Sequence, residues 1–135
     1  MVALESAFPW IIIPKGKIKL PPRNRQLDVE RQAEITEMSN DDFPTARIRK
    51  HKDGHHYLAS CKIVKWKDRS FLAYKCSCPG YRRRWLAVAK KWGVLTKIGQ
   101  VEGYLIASPP ADLEIDKHVW FALKKGLLGE DFKKL

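Results

Sequence analysis

The stretch from His55 to Trp92 constrains the fold most, because it contains all three cysteines of the chain. It reads HHYLASCKIVKWKDRSFLAYKCSCPGYRRRWLAVAKKW, with two apolar segments on either side of Asp68-Arg69. Such segments around a short turn predict a β-hairpin. If the turn is centred on Asp68-Arg69, Cys61 lies opposite Cys76, and Cys78 follows on the same face. The sequence therefore predicts that three sulfur atoms share one face of the hairpin.

Other cross-strand pairs support this register. It sets Trp66 opposite Phe71, and aromatic pairs of this kind stabilise antiparallel sheets. It also sets Lys62 opposite Lys75 on the face that lies away from the sulfur atoms. Like charges that are directly opposed destabilise a sheet, so an exposed pair of lysines favours an anion-binding face.

A metal site is the first interpretation of the cysteines. Alternation along the strand places His55 on the sulfur side, with His56 as a substitute. Cys61, Cys76, Cys78 and this histidine then form a Cys3His set that suits tetrahedral zinc. The CSCPG segment supports it, because a closely spaced cysteine pair leads into a Pro-Gly turn. The alternatives are an ordinary apolar core, a Cys61–Cys76 disulfide, and redox or catalytic thiol chemistry.

The run YKCSCPGYRRRWLAVAKKWG resembles the first half of a SWIM-type zinc finger, over about residues 57–92. In that family a hairpin delivers Cys-x-Cys-Pro followed by an aromatic residue, and a helix then delivers Cys-x-His. The positions that match are Cys76, Cys78, Pro79 and Tyr81. The later Cys-x-His pair is absent from this stretch, so a zinc ion would take its other ligands from Cys61 and from His55 or His56. The resemblance also implies binding to DNA or to protein.

The composition predicts a compact protein with a polyanionic partner. A chain of 135 residues with 44% hydrophobic content can bury about two-thirds of its unfolded surface. Its 26 Lys and Arg residues against 15 Asp and Glu residues give a formal charge of +11, which favours nucleic acid as a partner.

The apolar run from Phe8 to Ile13 is too short to span a membrane, so we expect a cytoplasmic protein without a membrane partner. Its lysine-rich, amide-poor composition is also typical of hot environments.

The chain divides into two regions. Residues 1–26 are predicted to form a basic, proline-interrupted N-terminal arm or an edge strand. The lysines that this region offers to phosphates are Lys15, Lys17 and Lys19. Residues 27–135 are predicted to form a single domain, in which zinc stabilises the hairpin at 55–80. This domain begins with a helix over residues 27–38, whose outer face is acidic.

The remaining elements complete an α+β fold. The predicted strands are 46–50, 94–98 and 101–107, and the predicted helices are 81–92 and 116–125. Together with the hairpin at 56–78, they predict a mostly antiparallel sheet covered by about three helices.

The strongest signal outside the cysteines is the run Tyr81-Arg82-Arg83-Arg84-Trp85 at the start of a predicted helix. Arginines can bind phosphate oxygens through two hydrogen bonds, and a tyrosine can stack on a base. The predicted nucleic-acid-binding residues are Lys62, Lys75, Tyr81, Arg82, Arg83, Arg84, Lys90, Lys91, Lys15, Lys17 and Lys19. The sequence therefore predicts a small, largely sequence-nonspecific nucleic-acid-binding protein with a structural zinc site, although a solvated arginine face would show the same pattern.

Two other functions are compatible with the sequence. A metal-dependent nuclease could use carboxylates to hold magnesium. The candidate carboxylates are Asp41, Asp42, Asp68, Glu102 and Asp131. A structural subunit of a ribonucleoprotein or virion fits the charge and the size equally well. No phosphate-binding glycine loop or paired-histidine motif indicates an enzyme.

Overall fold

The computed structural model describes residues 10–40, 44–92, 96–99, 101–106 and 113–129. These residues form a seven-stranded sheet and α-helices. The strands are β1 (Trp10–Pro14), β2 (Ala33–Ser39), β3 (Thr45–Lys50), β4 (His56–Trp66), β5 (Arg69–Cys76), β6 (Thr96–Ile98) and β7 (Val101–Leu105). The helices are α1 (Arg23–Gln32), α2 (Pro79–Trp92) and α3 (Lys117–Lys124), and a 3-10 turn covers Lys15–Lys17.

The sheet has the strand order β2-β3-β4-β5-β1-β7-β6. Every pair of neighbouring strands is antiparallel except β1 and β7, which are parallel. All three helices contribute to the core on one face, where Val29 of α1, Tyr81 of α2 and Val119 of α3 belong to one cluster of buried residues. The predicted α+β class, with a mostly antiparallel sheet and about three helices, is confirmed.

Strand β1 lies inside the sheet, between β5 and β7. Its residues, WIIIP, are all buried, as expected for a strand that is covered on both faces. Gly103 of β7 allows this close pairing, because a Cβ atom there would collide with the carbonyl group of Trp10. The prediction of an arm or edge strand over residues 1–26 is therefore wrong for Trp10–Pro14, which form an interior strand, and for the residues from Arg23, where α1 begins.

The predicted hairpin is formed by β4 and β5, but its register differs from the prediction. The turn residues are Lys67 and Asp68, with φ angles of 49° and 60°, and two positive φ angles are typical of a two-residue type I′ turn. Cys61 consequently lies opposite Tyr74, and not opposite Cys76. Each residue of β4 therefore pairs with a residue of β5 that lies two positions earlier than predicted. Two residues are one full repeat of a strand, so every side chain keeps its predicted face. All three cysteines accordingly belong to the same buried cluster.

The new register also separates the predicted lysine pair. Lys62 lies opposite Ala73, and Lys75 lies opposite Ser60. The arrangement avoids direct opposition of like charges. Both lysines keep the face opposite to the cysteines, where a smaller apolar cluster is formed by Trp10, Ile12, Val64, Phe71, Ala73, Ile98 and Val101.

The predicted helix over residues 27–38 is wrong in both limits. Helix α1 covers Arg23–Gln32, and β2 begins at Ala33. Ile35 of β2 pairs with Ile48 of β3. Tertiary pairing with β3 therefore outweighs the helical spacing of the apolar residues.

The other predicted elements are confirmed within the described residues. Strand β3 matches the predicted strand at 46–50, and helix α2 matches the helix at 81–92 but begins at Pro79. Strands β6 and β7 fall within the predicted strands, and α3 falls within the helix at 116–125. In the described part of the chain, no helix has the length and apolarity that a membrane span requires.

Candidate metal centre

Four buried side chains with metal-binding atoms converge where β5, α2 and α3 meet. Cys76 ends β5, and Cys78 immediately precedes α2. Asp116 caps α3, and His118 lies in its first turn. One ligand atom from each residue lies within 4.8 Å of all the others. This group, called the metal centre below, could hold a metal ion.

Three distances between neighbouring side chains of the metal centre are close to those of a tetrahedral site. Cys76 Sγ lies 3.7 Å from His118 Nδ1, which in turn lies 3.4 Å from Asp116 Oδ1. Cys78 Sγ lies 3.2 Å from Asp116 Oδ2. Metal–ligand bonds of about 2.0–2.3 Å place neighbouring ligand atoms of a tetrahedron roughly 3.3–3.8 Å apart. The side chains are therefore close to ligating positions without a change of fold.

Local hydrogen bonds hold these side chains in place. The Asp116 carboxylate accepts a hydrogen bond from the His118 backbone N–H at 2.8 Å, so Asp116 is both the helix cap and a candidate ligand. The Tyr81 backbone N–H in the first turn of α2 donates to Cys78 Sγ at 3.3 Å. Both helices that meet at the metal centre are thus tied to it through their first turns.

Hydrogen bonds and burial shift the pKa values of the metal centre. A hydrogen bond with Cys76 lowers the pKa of the Cys78 thiol to about 6, whereas burial raises the pKa of Cys76 well above its usual value. Burial opposes ionisation of His118, but hydrogen bonds to Asp116 and Cys78 raise its pKa to about 9. Burial likewise opposes ionisation of Asp116, but His118 and the other partners lower its pKa to about 2. These shifts favour the ionised forms of Cys78, Asp116 and His118, and they disfavour ionisation of Cys76.

Arg84 adds a positive charge beside the metal centre. Its Nη1 atom lies 3.7 Å from Asp116 Oδ2, and its side chain is only 20% exposed. The sequence predicts Arg84 as a contact for phosphate. In the structure, its guanidinium group instead contacts a carboxylate of the metal centre, which orients that carboxylate.

The predicted Cys3His set needs correction. Of its members, the structure brings together Cys76 and Cys78. Cys61 is buried opposite Tyr74, and this burial raises its pKa to about 12. His55 has a 69% exposed side chain near Asp53, and the substitute His56 is also exposed. The structure places Asp116 and His118 beside these two cysteines instead, and the three cysteines are free of disulfides.

The sequence contained a signal for this second pair. Asp116-Lys117-His118 has the same i, i+2 spacing as Cys76-Ser77-Cys78 and begins a helix. It lies 38 residues after Cys78, beyond the stretch on which the zinc prediction was based. The same tripeptide also fits an ordinary helix start, because aspartate is a common helix cap, so its spacing alone does not indicate a ligand pair.

A cleft of about 580 Å³ opens over the metal centre. Cys78, Asp116 and His118 line it, together with Tyr57 of β4. The cationic side chains that line it are Arg25, Lys50, Arg83, Arg84 and Lys117, and the acidic ones are Asp28 and Asp116. This feature is called the basic cleft below.

The lining cations differ in their partners. Arg25 Nη1 lies 3.9 Å from Glu114 Oε1, and Lys50 Nζ lies 3.9 Å from Asp53 Oδ2. Arg83 and Lys117 are exposed, and neither has an ion pair with any residue that the structure describes. The charges of these two side chains are therefore available to an anion that enters the basic cleft.

The other predicted nucleic-acid contacts are dispersed. Tyr81 is fully buried, and its hydroxyl donates to the Tyr74 carbonyl at 3.1 Å, so the predicted stacking of Tyr81 on a base is wrong. Lys62 and Lys75 lie on the opposite face of the sheet from α2, so they do not share one surface with its arginines. The remaining predicted cations, Arg82, Lys90, Lys91, Lys15, Lys17 and Lys19, are largely exposed on α2 and around the 3-10 turn.

The carboxylates of the nuclease hypothesis do not converge among the described residues. Asp68 lies in the hairpin turn and Glu102 lies on β7, and both are exposed. Neither belongs to a group of metal-binding side chains in that part of the chain. Asp41, Asp42 and Asp131 lie outside the described residues.

Comparison of the chain with protein-family models, with curated proteins and with solved structures finds no match in any of the three. The resemblance to a SWIM-type zinc finger therefore stays a prediction. The function has to be inferred from the geometry of the metal centre and the basic cleft.

Proposed function

We propose that the protein is a small, largely sequence-nonspecific nucleic-acid-binding protein whose basic cleft is built on a structural zinc centre. The observation that carries this proposal is that the ligands and the cleft cations share the same short segments. Arg83 follows Cys78 in the first turns of α2, and Lys117 lies between Asp116 and His118. A metal ion would fix these two segments against each other, and so fix the spacing of their cations.

The donor set favours zinc over other ions. Two thiolates exclude the hard cations magnesium and calcium, whose ligands are oxygen atoms, and thiolate with imidazole suits tetrahedral zinc. Four protein ligands complete the coordination and leave no position for water or substrate, which is typical of a structural site. Two thiolates and one carboxylate exceed the charge of Zn²⁺ by one, and Arg84 beside Asp116 offsets the excess.

The proposed centre also extends the resemblance to a SWIM-type zinc finger. The resemblance covers the Cys-x-Cys pair, and the family's second pair has the form Cys-x-His. Asp116-x-His118 has the same spacing and also lies at a helix start. We infer that this pair takes the place of the family's second pair, with a carboxylate in place of a thiolate.

The proposed function is tested by comparing zinc-loaded and zinc-free protein in binding to labelled DNA and RNA oligonucleotides. We expect the zinc-loaded form to bind both at low salt, and the zinc-free form to bind more weakly because its cations are less well positioned. Added magnesium should leave the oligonucleotides intact. Failure of the zinc-loaded form to bind either nucleic acid would overturn the proposal, and magnesium-dependent cleavage would support a nuclease instead.

Zinc binding should release about two protons at pH 7. The raised pKa of Cys76 and the pKa of about 9 for His118 mean that both groups carry a proton in the metal-free protein at this pH. Cys78, with a pKa of about 6, is mostly ionised already. Since ligands bind metal without their protons, zinc affinity should rise steeply with pH up to the pKa of His118. It should continue to rise more slowly above that pKa, because Cys76 still carries its proton there. Calorimetric titration in two buffers that differ in ionisation enthalpy measures the number, and zero released protons would contradict ligation by Cys76 and His118.

A further inference from the structure

We propose that the basic cleft binds single-stranded nucleic acid, with Tyr57 stacking on an unpaired base while Arg83 and Lys117 contact the neighbouring phosphates. The inference rests on the proposed function and deepens it, because it names the strand state of the ligand and the contact that selects it. Tyr57 is absent from the predicted nucleic-acid-binding residues. The sequence places it on a strand but does not indicate that it lines a cleft with cations from two helices.

Tyr57 is an aromatic side chain within a cationic surface. It is half-buried on β4 and lines the basic cleft together with Arg83 and Lys117. Its ring centroid lies 5.2 Å from that of His118, with 39° between the ring planes. The metal centre thus supports the ring from one side. Aromatic side chains beside a positively charged groove are the usual elements of single-strand binding.

The dimensions of the cleft favour an unpaired base. Its volume of about 580 Å³ falls within the roughly 300–1,000 Å³ that is typical of small-ligand pockets. A single-stranded segment can turn one base into such a space. A duplex keeps its bases paired and stacked, so it could reach Tyr57 only after a base is extruded, which costs pairing and stacking energy.

The charges of the cleft suit the phosphates on either side of that base. Arg83 and Lys117 approach from different helices, α2 and α3. Asp28 is the exposed carboxylate among the lining residues, whereas Asp116 is buried and contacts Arg84. Cations therefore outnumber the exposed carboxylate among the residues that line the cleft, which suits a phosphodiester backbone beside Tyr57.

The experiment measures affinities of the zinc-loaded protein for short pyrimidine oligonucleotides, as DNA and as RNA, and for a duplex of the same length. We expect the wild type to prefer a single strand, and Tyr57→Leu to weaken single-strand binding about 10-fold, the effect of losing one stacked base. Tyr57→Phe, which keeps the ring, should restore the affinity that Tyr57→Leu loses. Trp66→Leu is the matched control, because Trp66 is 39% exposed near the hairpin turn and does not line the cleft. The DNA and RNA arms identify which nucleic acid is bound more tightly.

A second measurement needs no substitution. Photocrosslinking of an iodouracil-containing oligonucleotide to the wild-type chain should place the crosslink at Tyr57. Equal affinity for duplex and single strand, an unchanged affinity of Tyr57→Leu, or crosslinks exclusively at other residues would overturn this inference while nucleic-acid binding stands. Absence of binding to any of the oligonucleotides would overturn the proposed function, and the inference with it.

Discussion

Replacement of Cys76 by alanine is expected to abolish the proposed zinc binding and to lower the free energy of unfolding by at least about 4 kcal/mol, beyond the usual range for a single substitution. Structural zinc sites contribute about 10–16 kcal/mol of apparent binding free energy in small domains, so losing one of four ligands has a large effect. The same replacement at Cys61 should keep one zinc ion per chain and cost about 1–2 kcal/mol, as for an ordinary buried side chain. Metal analysis of the untagged proteins and urea unfolding measure both quantities.

Cys61 is a closely matched control for Cys76. Both are fully or almost fully buried in the same core cluster, on neighbouring strands of one hairpin. Only Cys76 has its sulfur atom in the metal centre. Loss of zinc from the Cys61 variant would restore the original Cys3His hypothesis. Zinc-free wild type, together with small and equal losses of stability in both variants, would show that the cysteines are only core residues.

The hairpin shows which part of a fold local sequence determines. Alternation along β4 and β5 predicted correctly that Cys61 and Cys76 face one core, because the face of a side chain on a strand depends only on parity. Cys78 lies just beyond β5 and belongs to the same core cluster. The register was wrong by two residues, because it depends on the turn. Lys67 and Asp68 both adopt positive φ angles, a conformation that is uncommon for non-glycine residues and is not evident from a Lys-Asp dipeptide.

The elements that were wrongly predicted depend on distant partners. The buried strand β1 has neighbours from β5 and β7, and a short run interrupted by prolines does not indicate that both faces will be covered. Ile35 has helical spacing from Leu27, but pairing with Ile48 of β3 places it in a strand. In both cases tertiary contacts determine the local structure.

The metal centre also combines residues that the sequence predicted with residues that only the tertiary structure brings in. Cys76 and Cys78 are close in sequence and follow a predictable strand, so they could be identified as ligands. Asp116 and His118 enter the site because α3 packs against the sheet face that carries the cysteines. Strand alternation instead favoured Cys61 and His55, but Cys61 has its sulfur atom outside the metal centre and His55 has an exposed side chain. Closeness in sequence therefore identified Cys76 and Cys78 correctly as members of the metal centre. It did not identify Asp116 and His118.

Binding to single-stranded nucleic acid should weaken by roughly three hundredfold between about 50 and 200 mM salt, as expected for about six phosphate contacts on a single strand. Reversal of charge at both Arg83 and Lys117 should remove most of the affinity at low salt and reduce the salt dependence by about two phosphate contacts, since each lost contact lowers the slope by about one. Both residues lie outside the metal centre, so the variant should keep its zinc. Fluorescence anisotropy over a salt series, with metal analysis of each protein, measures these effects.

Reversal of Lys65 and Lys97 is the charge-matched control. Both side chains are exposed on strands and lie outside the basic cleft, and their reversal changes the net charge by the same amount. A protein of +11 attracts polyanions from every side, and that diffuse attraction depends on net charge alone. A larger loss at Arg83 and Lys117 therefore measures the contribution of the cleft itself. Equal losses in the two double variants would show that the attraction is global, and a flat salt response would contradict binding through phosphates.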